Sequence, residues 1–389
     1  MTVIRILDQH IEEFKTLFPE LTKLSREKNL EWNKDLMWNN LPEYKILPPN
    51  EYLCSVELNE ELIERLQPVC LTKTITKKTA SLRFKEKPNK PFRGMVFTTE
   101  EPIQPQYPIY VISKGRWEKR FTVDTLIEMK VYFFVVVEDN ELTDYKKVID
   151  SPFVTIIPFT RPTDTTDGGG VPVRNFVWEH SISNGHKKHW VVDDNIDGFF
   201  RFYNNEHIPV LSGVYFKVLE DYTAKLSNVK LSGPQYTMFC PKVSRKRKPV
   251  IKNTRIYSCI LIDNSLEFRW RGTYNEDTDL SLRVLKKGYG TVLIDCFPCG
   301  KKGTKSCKGG NTDSIYKGDG LLKKYLSLEE QHPDVTKSKT LKDGRIHHDV
   351  NYKPFKNNTL GEWDFDEPQV INEYGMHLQH SPLSINKNH

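Results

Sequence analysis

The stretch His189-Trp190-Val191-Val192-Asp193-Asp194-Asn195-Ile196-Asp197 joins an aromatic–aliphatic run to a cluster of acids. Trp190-Val191-Val192 is short enough for a buried strand, which puts the acids at the strand's C-terminal end. In open α/β sheets that end is where ligands bind. Two or three oxygen ligands at a strand tip can hold a hard divalent cation that also touches a substrate diphosphate. An acidic turn that merely caps a strand uses the same residue types. The sequence on either side decides between these readings.

Toward the N-terminus the chain alternates. Tyr107 to Ile112 reads as a strand, followed by Ser113-Lys114-Gly115-Arg116. Phe121 to Met129 reads as a helix, Tyr132 to Val137 as a strand closed by Glu138-Asp139, Asp144 to Ile149 as a helix, and Val154 to Phe159 as a third strand. Strand and helix at this spacing predict a mostly parallel α/β sheet, flanked by helices, with right-handed crossovers. Asp167-Gly168-Gly169-Gly170 then precedes a helix opening near Val173-Arg174-Asn175. Free N–H groups of such a loop and the helix N-terminus favour an anion. Arg174 can pair with a diphosphate or be a surface charge. Lys114-Gly115-Arg116 ends the first strand, where a nucleotide lies in such sheets.

Toward the C-terminus, Val214 to Leu226 is an amphipathic helix, and strands are expected at Val229 to Leu231, Tyr236 to Phe239, Ile256 to Asp263 and Thr291 to Phe297. Glu276-Asp277 stands at a helix N-terminus, where an acid either caps the helix dipole or acts as a general base. His347-His348 are surface residues or late metal ligands. Cys296-x-x-Cys299 with Cys307 gives three thiols, so a structural zinc needs a fourth ligand from elsewhere.

Composition sets outer bounds. A chain of 389 residues predicts more than one core. No apolar run of about 18 residues exists, so no membrane span is expected. The start, Met1-Thr2-Val3-Ile4-Arg5, continues into acids and polar residues rather than the apolar core of a signal peptide. Seven cysteines, an odd number, point to free thiols and a reducing, cytoplasmic setting. The formal charge of +6 leaves nucleic acid open as a partner. Its local carriers are the basic segment Lys73 to Arg93 and the loop Ser244-Arg245-Lys246-Arg247-Lys248. Both serve as solvated connections or as phosphate contacts. Residues 1–100 read as a separate, partly helical accessory region, with helices at Ile11 to Phe18 and from an Asn59 N-cap to Leu66. Residues 101–355 form the α/β domain, and 356–389 a polar tail.

In this order the pieces resemble a GT-A-type (Rossmann-like) nucleotide-sugar glycosyltransferase. Within that class they are most similar to the TET-associated, base J-like DNA glycosyltransferases, many of them from bacteriophages. The resemblance rests on Pro108-Ile109-Tyr110-Val111-Ile112-Ser113-Lys114-Gly115-Arg116, Val137-Glu138 with Tyr145, Arg174-Asn175, Asp193-Asp194-Asn195 and Glu276-Asp277-Thr278-Asp279.

The resemblance implies that Asp193-Asp194-Asn195 stands where the family's DxD motif holds Mn²⁺ or Mg²⁺ and the diphosphate of a sugar nucleotide, UDP-linked by the same resemblance. Asn195 replaces the second acid of that motif and is the weaker ligand, which shifts weight to Asp194. The Gly168–Gly170 loop would lie beside the donor, with Ser113, Lys114, Gly115, Arg116, Glu138, Tyr145, Arg174 and Asn175 around it. Asp277 corresponds to the general base of inverting members, with Glu276 as its neighbour, and His347 or His348 to a late metal ligand. The acceptor implied is the hydroxyl of a hydroxymethylated pyrimidine in DNA. A glycan, protein or small-molecule acceptor, and a non-catalytic nucleic-acid-binding protein, are the competing readings.

Overall fold

The computed structural model describes residues 1–7, 10–27, 38–39, 44–46, 51–70, 74–85, 95–97, 103–163, 169–203, 206–241, 250–303, 320–340, 346–361 and 377–378. The chain divides into two compact units, Met1–Asp35 with Asn40–Thr98, and Leu36–Asn39 with Thr99–His389.

The first unit contains β1 (Thr2–Leu7), α1 (Ile11–Leu17), β2 (Leu24–Glu27), β4 (Tyr44–Ile46), β5 (Glu51–Val56), α2 (Glu60–Leu66), β6 (Ser81–Arg83) and β7 (Met95–Phe97). The two-residue β3 (Trp38–Asn39) belongs to the second unit. Four strands form a sheet in the order β2-β5-β1-β6, and β4 pairs with β7. In β1 burial alternates, with Thr2, Ile4 and Ile6 inward, the period of a sheet with one covered face. Helix α1 lays Ile11 and Phe14 on the core that Ile4, Ile6 and Phe84 also line. Asn59 caps α2 by accepting the N–H of Leu62 at 2.8 Å, as its position predicts, a contact worth about 1 kcal/mol. The sequence pattern predicts only the two helices of this unit; its strands are additional to them.

The second unit is built on a ten-stranded sheet. In chain order its elements are β8 (Ile109–Ile112), α3 (Phe121–Glu128), β9 (Phe133–Glu138), α4 (Leu142–Val148), β10 (Val154–Phe159), α5 (Val171–Ser183), β11 (Lys188–Asp193), β12 (Ile196–Tyr203), β13 (Glu206–Pro209), α6 (Val214–Ala224), β14 (Val229–Tyr236), β15 (Val250–Lys252), β16 (Cys259–Asp263), α7 (Glu276–Lys286), β17 (Gly290–Lys301) and α8 (Gly320–Gln331). Beyond them come the hairpin of β18 (Thr336–Thr340) and β19 (Ile346–Val350), and β20 (His377–Leu378), which pairs with β3.

The strand order is β10-β9-β8-β11-β16-β14-β17-β12-β13, with β15 on β17. Strands β8, β9, β10, β14, β17 and β13 run with β11, and only β16, β12 and β15 run against it. The sheet is therefore mostly parallel, as the alternation of elements predicts. Helices cover both faces. Along β11 the side chains alternate, so that Trp190 meets Phe216 of α6, ring centroids 5.2 Å apart. Its neighbour Val191 joins Val177 and Trp178 of α5 and Leu280 and Val284 of α7 in the main core.

This topology decides where a ligand can sit. The chain leaves β8 outward through β9 and β10, then returns across α5 to place β11 on the other side of β8. Strands β8 and β11 flank the point where the winding reverses. The loops leaving their carboxyl ends, Ser113-Arg116 and Asp193-Asn195, diverge there and open the crevice in which α/β proteins bind ligands.

Some elements differ from expectation. The hairpin β12–β13 is additional to the predicted strands. Strand β14 runs unbroken from Val229 to Tyr236, and Thr237–Phe239 is one turn of 3-10 helix rather than a strand. Strand β17 does not stop at Phe297 but continues through Pro298 and Gly300 to Lys301, its pairing with β14 shifting register at Tyr236–Cys299. A bulge is where a sheet tolerates proline. In the same sheet Gly233 lies so close to β16 that a Cβ there would overlap the carbonyl oxygen of Cys259.

Helix α7 is anchored by Asp279, whose side chain has no solvent exposure. It accepts from Arg271 at 2.9 Å, from Arg283 at 2.8 Å and shares a hydrogen bond of 2.9 Å with His332. Removing one partner of a buried ionic cluster leaves the others uncompensated. Asp279→Ala is expected to cost about 3–5 kcal/mol in urea denaturation. Asp144→Ala, which breaks only the exposed pair with Lys147, should cost within about 1 kcal/mol. Equal losses in the two variants would contradict the anchoring role.

Candidate functional site

The crevice is organised by charge. Asp193, the last residue of β11, is gripped from two elements. Arg174 Nη2 reaches its Oδ1 at 2.8 Å, and Lys301 Nζ reaches its Oδ2 at 2.8 Å. Arg174 sits in the first turn of α5, placed there by the turn at Gly169 (φ 59°) and Gly170. A Cβ on Gly170 would stand 3.4 Å from Arg174 Nε and 3.7 Å from Glu276 Oε1, so this wall of the crevice is bare backbone. Lys301 arrives from the opposite side on the extension of β17.

Arg174 is buried, and its guanidinium lies 4.9 Å from the centre of the Trp270 ring. It also faces Glu276 at 3.6 Å and Asp277 at 3.8 Å. Its Nε and Nη1 make no hydrogen bond among the described residues. Burial works against its charge, but Asp277, Asp193 and Glu276 outweigh that and raise its pKa further. Burial likewise opposes the charge on Asp193, and Lys301 and Arg174 hold it well below the usual carboxylate range.

Asp277, in the first turn of α7, is the opposite case. Its Oδ2 accepts the backbone N–H of Ser258 at 3.2 Å, and its Oδ1 has no hydrogen-bond partner among the described residues. Burial pushes this carboxyl up to about 7; Arg174 pulls it down, while Glu276 and Asp193 add to the rise. Ser258 adopts a left-handed backbone (φ 55°) that turns its N–H to Asp277. Its hydroxyl meets Lys301 Nζ and, at 2.6 Å, the hydroxyl of Tyr236.

Asp194 faces away from this group, toward the first loop. It pairs with Arg116 and accepts from Ser113 Oγ at 3.1 Å and Lys114 N at 3.3 Å. Burial raises it to about 6 against the pull of Arg116. Tyr145 is fully buried beneath the same loop, bonded to Ser113 Oγ at 2.6 Å and to Arg116 N at 3.1 Å. It supports the loop from below. Gly115, at φ 64°, donates its N–H to Glu141 at 2.8 Å. Glu138 is held by Lys114 at 2.8 Å and by Arg161 at 2.8 Å, and Arg161 also donates to the carbonyl of Gly169 at 3.2 Å. The loop after β8, the end of β9 and the glycine turn thus form one bonded rim.

Other expected residues are placed differently. Asn175 clamps both backbone groups of Trp270, at 3.0 and 2.9 Å, and so fixes the ring beneath Arg174. His347 and His348 stack on each other in β19, centroids 4.9 Å apart, and burial lowers His348 to about 4. Among the described residues no three His, Cys, Asp or Glu side chains converge as a metal centre requires. Neither histidine therefore joins Asp193 and Asp194 in such a set. Cys296 and Cys299 are buried thiols of β17, the latter pushed up to about 12 by burial. Gly168, Cys307 and the loop Ser244–Lys248 lie outside the described residues.

The oxygen donors nevertheless suit a hard divalent cation. Asn195 is pinned by its Nδ2 to the carbonyl of Lys302 at 2.9 Å, leaving its buried Oδ1 without a hydrogen-bond partner among the described residues. That orphan lies two residues beyond Asp193 in the chain. The charge count agrees: Asp193, Glu276 and Asp277 supply three carboxyl groups against the two cations Arg174 and Lys301. A diphosphate entering such a group is more favourable with a dication beside it. Lys301, Ser258 and Tyr236 were not among the expected site residues. They come from segments distant in sequence, two strands and the residue just before β16, and only the sheet brings them together.

Comparison with known proteins gives three findings. The family model described as TET-Associated Glycosyltransferase matches residues 107–310. No curated protein matches the chain. Among solved structures, the crystal structure of GalNAc-T7 with UDP, GalNAc and Mn²⁺ is similar at a TM-score of 0.34 and 9% identity, over 56% of this chain and 47% of that one. The match thus spans less than half of that protein.

Asp277 carries a consequence for stability. Its carboxyl stands at about 7 in the folded chain, against about 4 in an unfolded one. The folded state thus holds a proton that the unfolded state has released. This contribution to stability is complete below the unfolded value and is lost as pH rises through about 7. Asp277→Asn cannot ionise and escapes that loss. Relative to wild type it should gain on the order of a few kcal/mol between about pH 5 and about pH 8. Urea denaturation at both pH values reads this, and a pH-independent difference would contradict it.

Proposed function

The chain belongs to the TET-associated glycosyltransferase family, and from that footing we propose that it transfers a sugar from a nucleoside-diphosphate sugar to the hydroxyl of a hydroxymethylated pyrimidine in DNA, with inversion at the anomeric carbon. The observation that carries the proposal is the pairing of two unlike carboxyls across Arg174: Asp193 held ionised by two cations, and Asp277 poised near neutrality 3.8 Å from the same guanidinium. One half suits a leaving diphosphate, the other a proton acceptor.

In this reading Arg174 and Lys301 move part of their charge from Asp193 to the diphosphate, a charge-assisted contact stronger than a neutral one. Asp193 and the orphan Oδ1 of Asn195 are the residues that would hold a divalent cation, Mn²⁺ or Mg²⁺. When bound, it supplies Lewis-acid neutralisation of the leaving group. Asp194, through Arg116 and Ser113, keeps the first loop against the nucleotide; Lys114 and Glu138 edge the same space. The acceptor oxygen attacks the anomeric carbon while its proton passes to Asp277. The bond from that carbon to the diphosphate breaks, and its electron pair leaves with the nucleoside diphosphate. Attack from the side opposite the leaving group inverts the centre. A base with a pKa near the working pH is efficient in both protonation states it must visit. Glu276 presses on Arg174 and, beside Asp277, raises its proton affinity. The basic sequence Arg245-Lys246-Arg247-Lys248 supports a polyanionic acceptor. No helix among the described residues is long and apolar enough to cross a membrane.

The direct test is mass spectrometry of nucleosides from hydroxymethylated DNA incubated with the protein, Mn²⁺ and a panel of nucleotide sugars. One added sugar per modified pyrimidine is expected; labelling only of a glycan or protein acceptor would replace the DNA assignment. A product with retained configuration would overturn inversion.

Two variants should fail differently. Asp277→Asn should bind the donor normally in calorimetry yet lose about 10²-fold or more in kcat. Wild-type kcat/KM should rise with pH through about 7 and then level. Lys301→Ala should weaken donor binding by roughly tenfold or more, the loss of one charged hydrogen bond. Near-normal turnover in Asp277→Asn would remove it as the base.

A further inference from the structure

Beside the crevice three aromatic rings stand nearly parallel. Tyr257 and Tyr236 are 5.7 Å apart at 14°, and Tyr236 and Phe239 are 6.1 Å apart at 25°. One end is closed by Arg255, whose guanidinium lies 4.8 Å from the Tyr257 centre. Phe239 forms the other end. Phe239 is 48% exposed and its neighbour Met238 58% exposed, although both follow directly on a buried strand of the main sheet. Leaving a large apolar side chain in water forgoes about 1.5–3 kcal/mol, so two adjacent ones at a ring stack are unusual for a surface that binds nothing.

The middle ring ties this stack to the reaction centre. Tyr236 OH bonds Ser258 Oγ at 2.6 Å and lies 3.4 Å from Lys301 Nζ, and Ser258 gives its N–H to Asp277. The stack is thus one serine away from the proposed base. Immediately after it the sequence supplies Lys242, Arg245, Lys246, Arg247 and Lys248.

We propose that Phe239 and Met238, backed by Tyr236 and Tyr257, form the surface on which a base of the acceptor strand stacks, making them specificity-determining residues for a polynucleotide acceptor. The inference rests on the DNA-acceptor reading above and names the residues that would select it. An aromatic face accepts any base, since every base has a π-face, and the cations that follow Phe239 in the sequence are of the kind that pair with phosphates. An enzyme acting on a base must draw it from the duplex stack, and a replacement ring stabilises it outside. A glycan acceptor could pack a sugar ring on the same face, but the run of cations favours the phosphate-bearing polymer.

The experiment uses the full chain and a hydroxymethylated oligonucleotide carrying 2-aminopurine beside the target pyrimidine. Phe239→Ala should raise the oligonucleotide KM on the order of 10- to 100-fold, the scale of one lost base–aromatic stack. Donor affinity in calorimetry should stay unchanged and 2-aminopurine quenching should weaken. Phe239→Trp, which keeps a ring, should restore both. If wild type modifies the oligonucleotide and Phe239→Ala does so with an unchanged KM, the stacking surface is wrong and the acceptor reading stands. If wild type ignores every nucleic acid and modifies a glycan or protein instead, the acceptor reading fails and the inference falls with it. A loss of donor affinity in Phe239→Ala would also overturn it, because the residue would then be acting on the donor side.

Discussion

Asp193 suspended between Arg174 and Lys301 is the constraint to which the rest of the second unit answers. A half-buried carboxylate with one cation is costly; with two cations from different elements it becomes a fixed point. Strand β11 brings the acid, the first turn of α5 brings the arginine, and the far end of β17 brings the lysine. None of the three can shift without stranding a charge. The winding reversal between β8 and β11 decides only that a crevice exists; this ion group decides its shape and its sign.

From the same group follows the division of labour between two residues of one type. Asp193 and Asp277 both face Arg174, yet one is held ionised and the other is lifted toward neutrality. The difference lies in partners, since both are half-buried. Asp193 has a guanidinium and an ammonium in direct contact, whereas Asp277 has a backbone N–H and a guanidinium almost 4 Å off. Environment pushing like groups apart is how one site acquires an anion and a base. Arg174 is the common term, so its charge is coupled to both.

How much of this was legible in the sequence depends on how local each signal is. The strand ending at Asp193, the alternation from β8 to β10 and the helix carrying Arg174 announce themselves through short-range periodicity, and the sheet they predict is the sheet observed. The hairpin β12–β13 hides because Asp197, Gly198 and the buried Arg201 break its alternation. The end of β17 hides behind Pro298 and Gly300, which read as a stop, and with it goes Lys301. Ser258 and Tyr236 carry no motif; they matter only because β16 and β14 are neighbours in the sheet. Asn175 and Tyr145 stand near the site but are engaged in holding Trp270 and the first loop. The dipeptide His347-His348 is as visible in the sequence as the acids; among the described residues its rings stack on each other within β19, and no group of three such side chains gathers.

Gly233 shows how far this arrangement reaches. It has no side chain, touches no charge and lies within a strand. Yet the carbonyl of Cys259 occupies the space where its Cβ would be. Any replacement must push β16 outward at the residue next to Ser258, and Ser258 supplies both the N–H that steadies Asp277 and the hydroxyl that meets Lys301. In a survey of random variants Gly233 would therefore behave like a member of the reaction centre, intolerant of even a methyl group. Judged by chemistry alone it would be passed over. What it contributes is an absence of volume, through which the spacing of two strands becomes a tolerance on the chemistry.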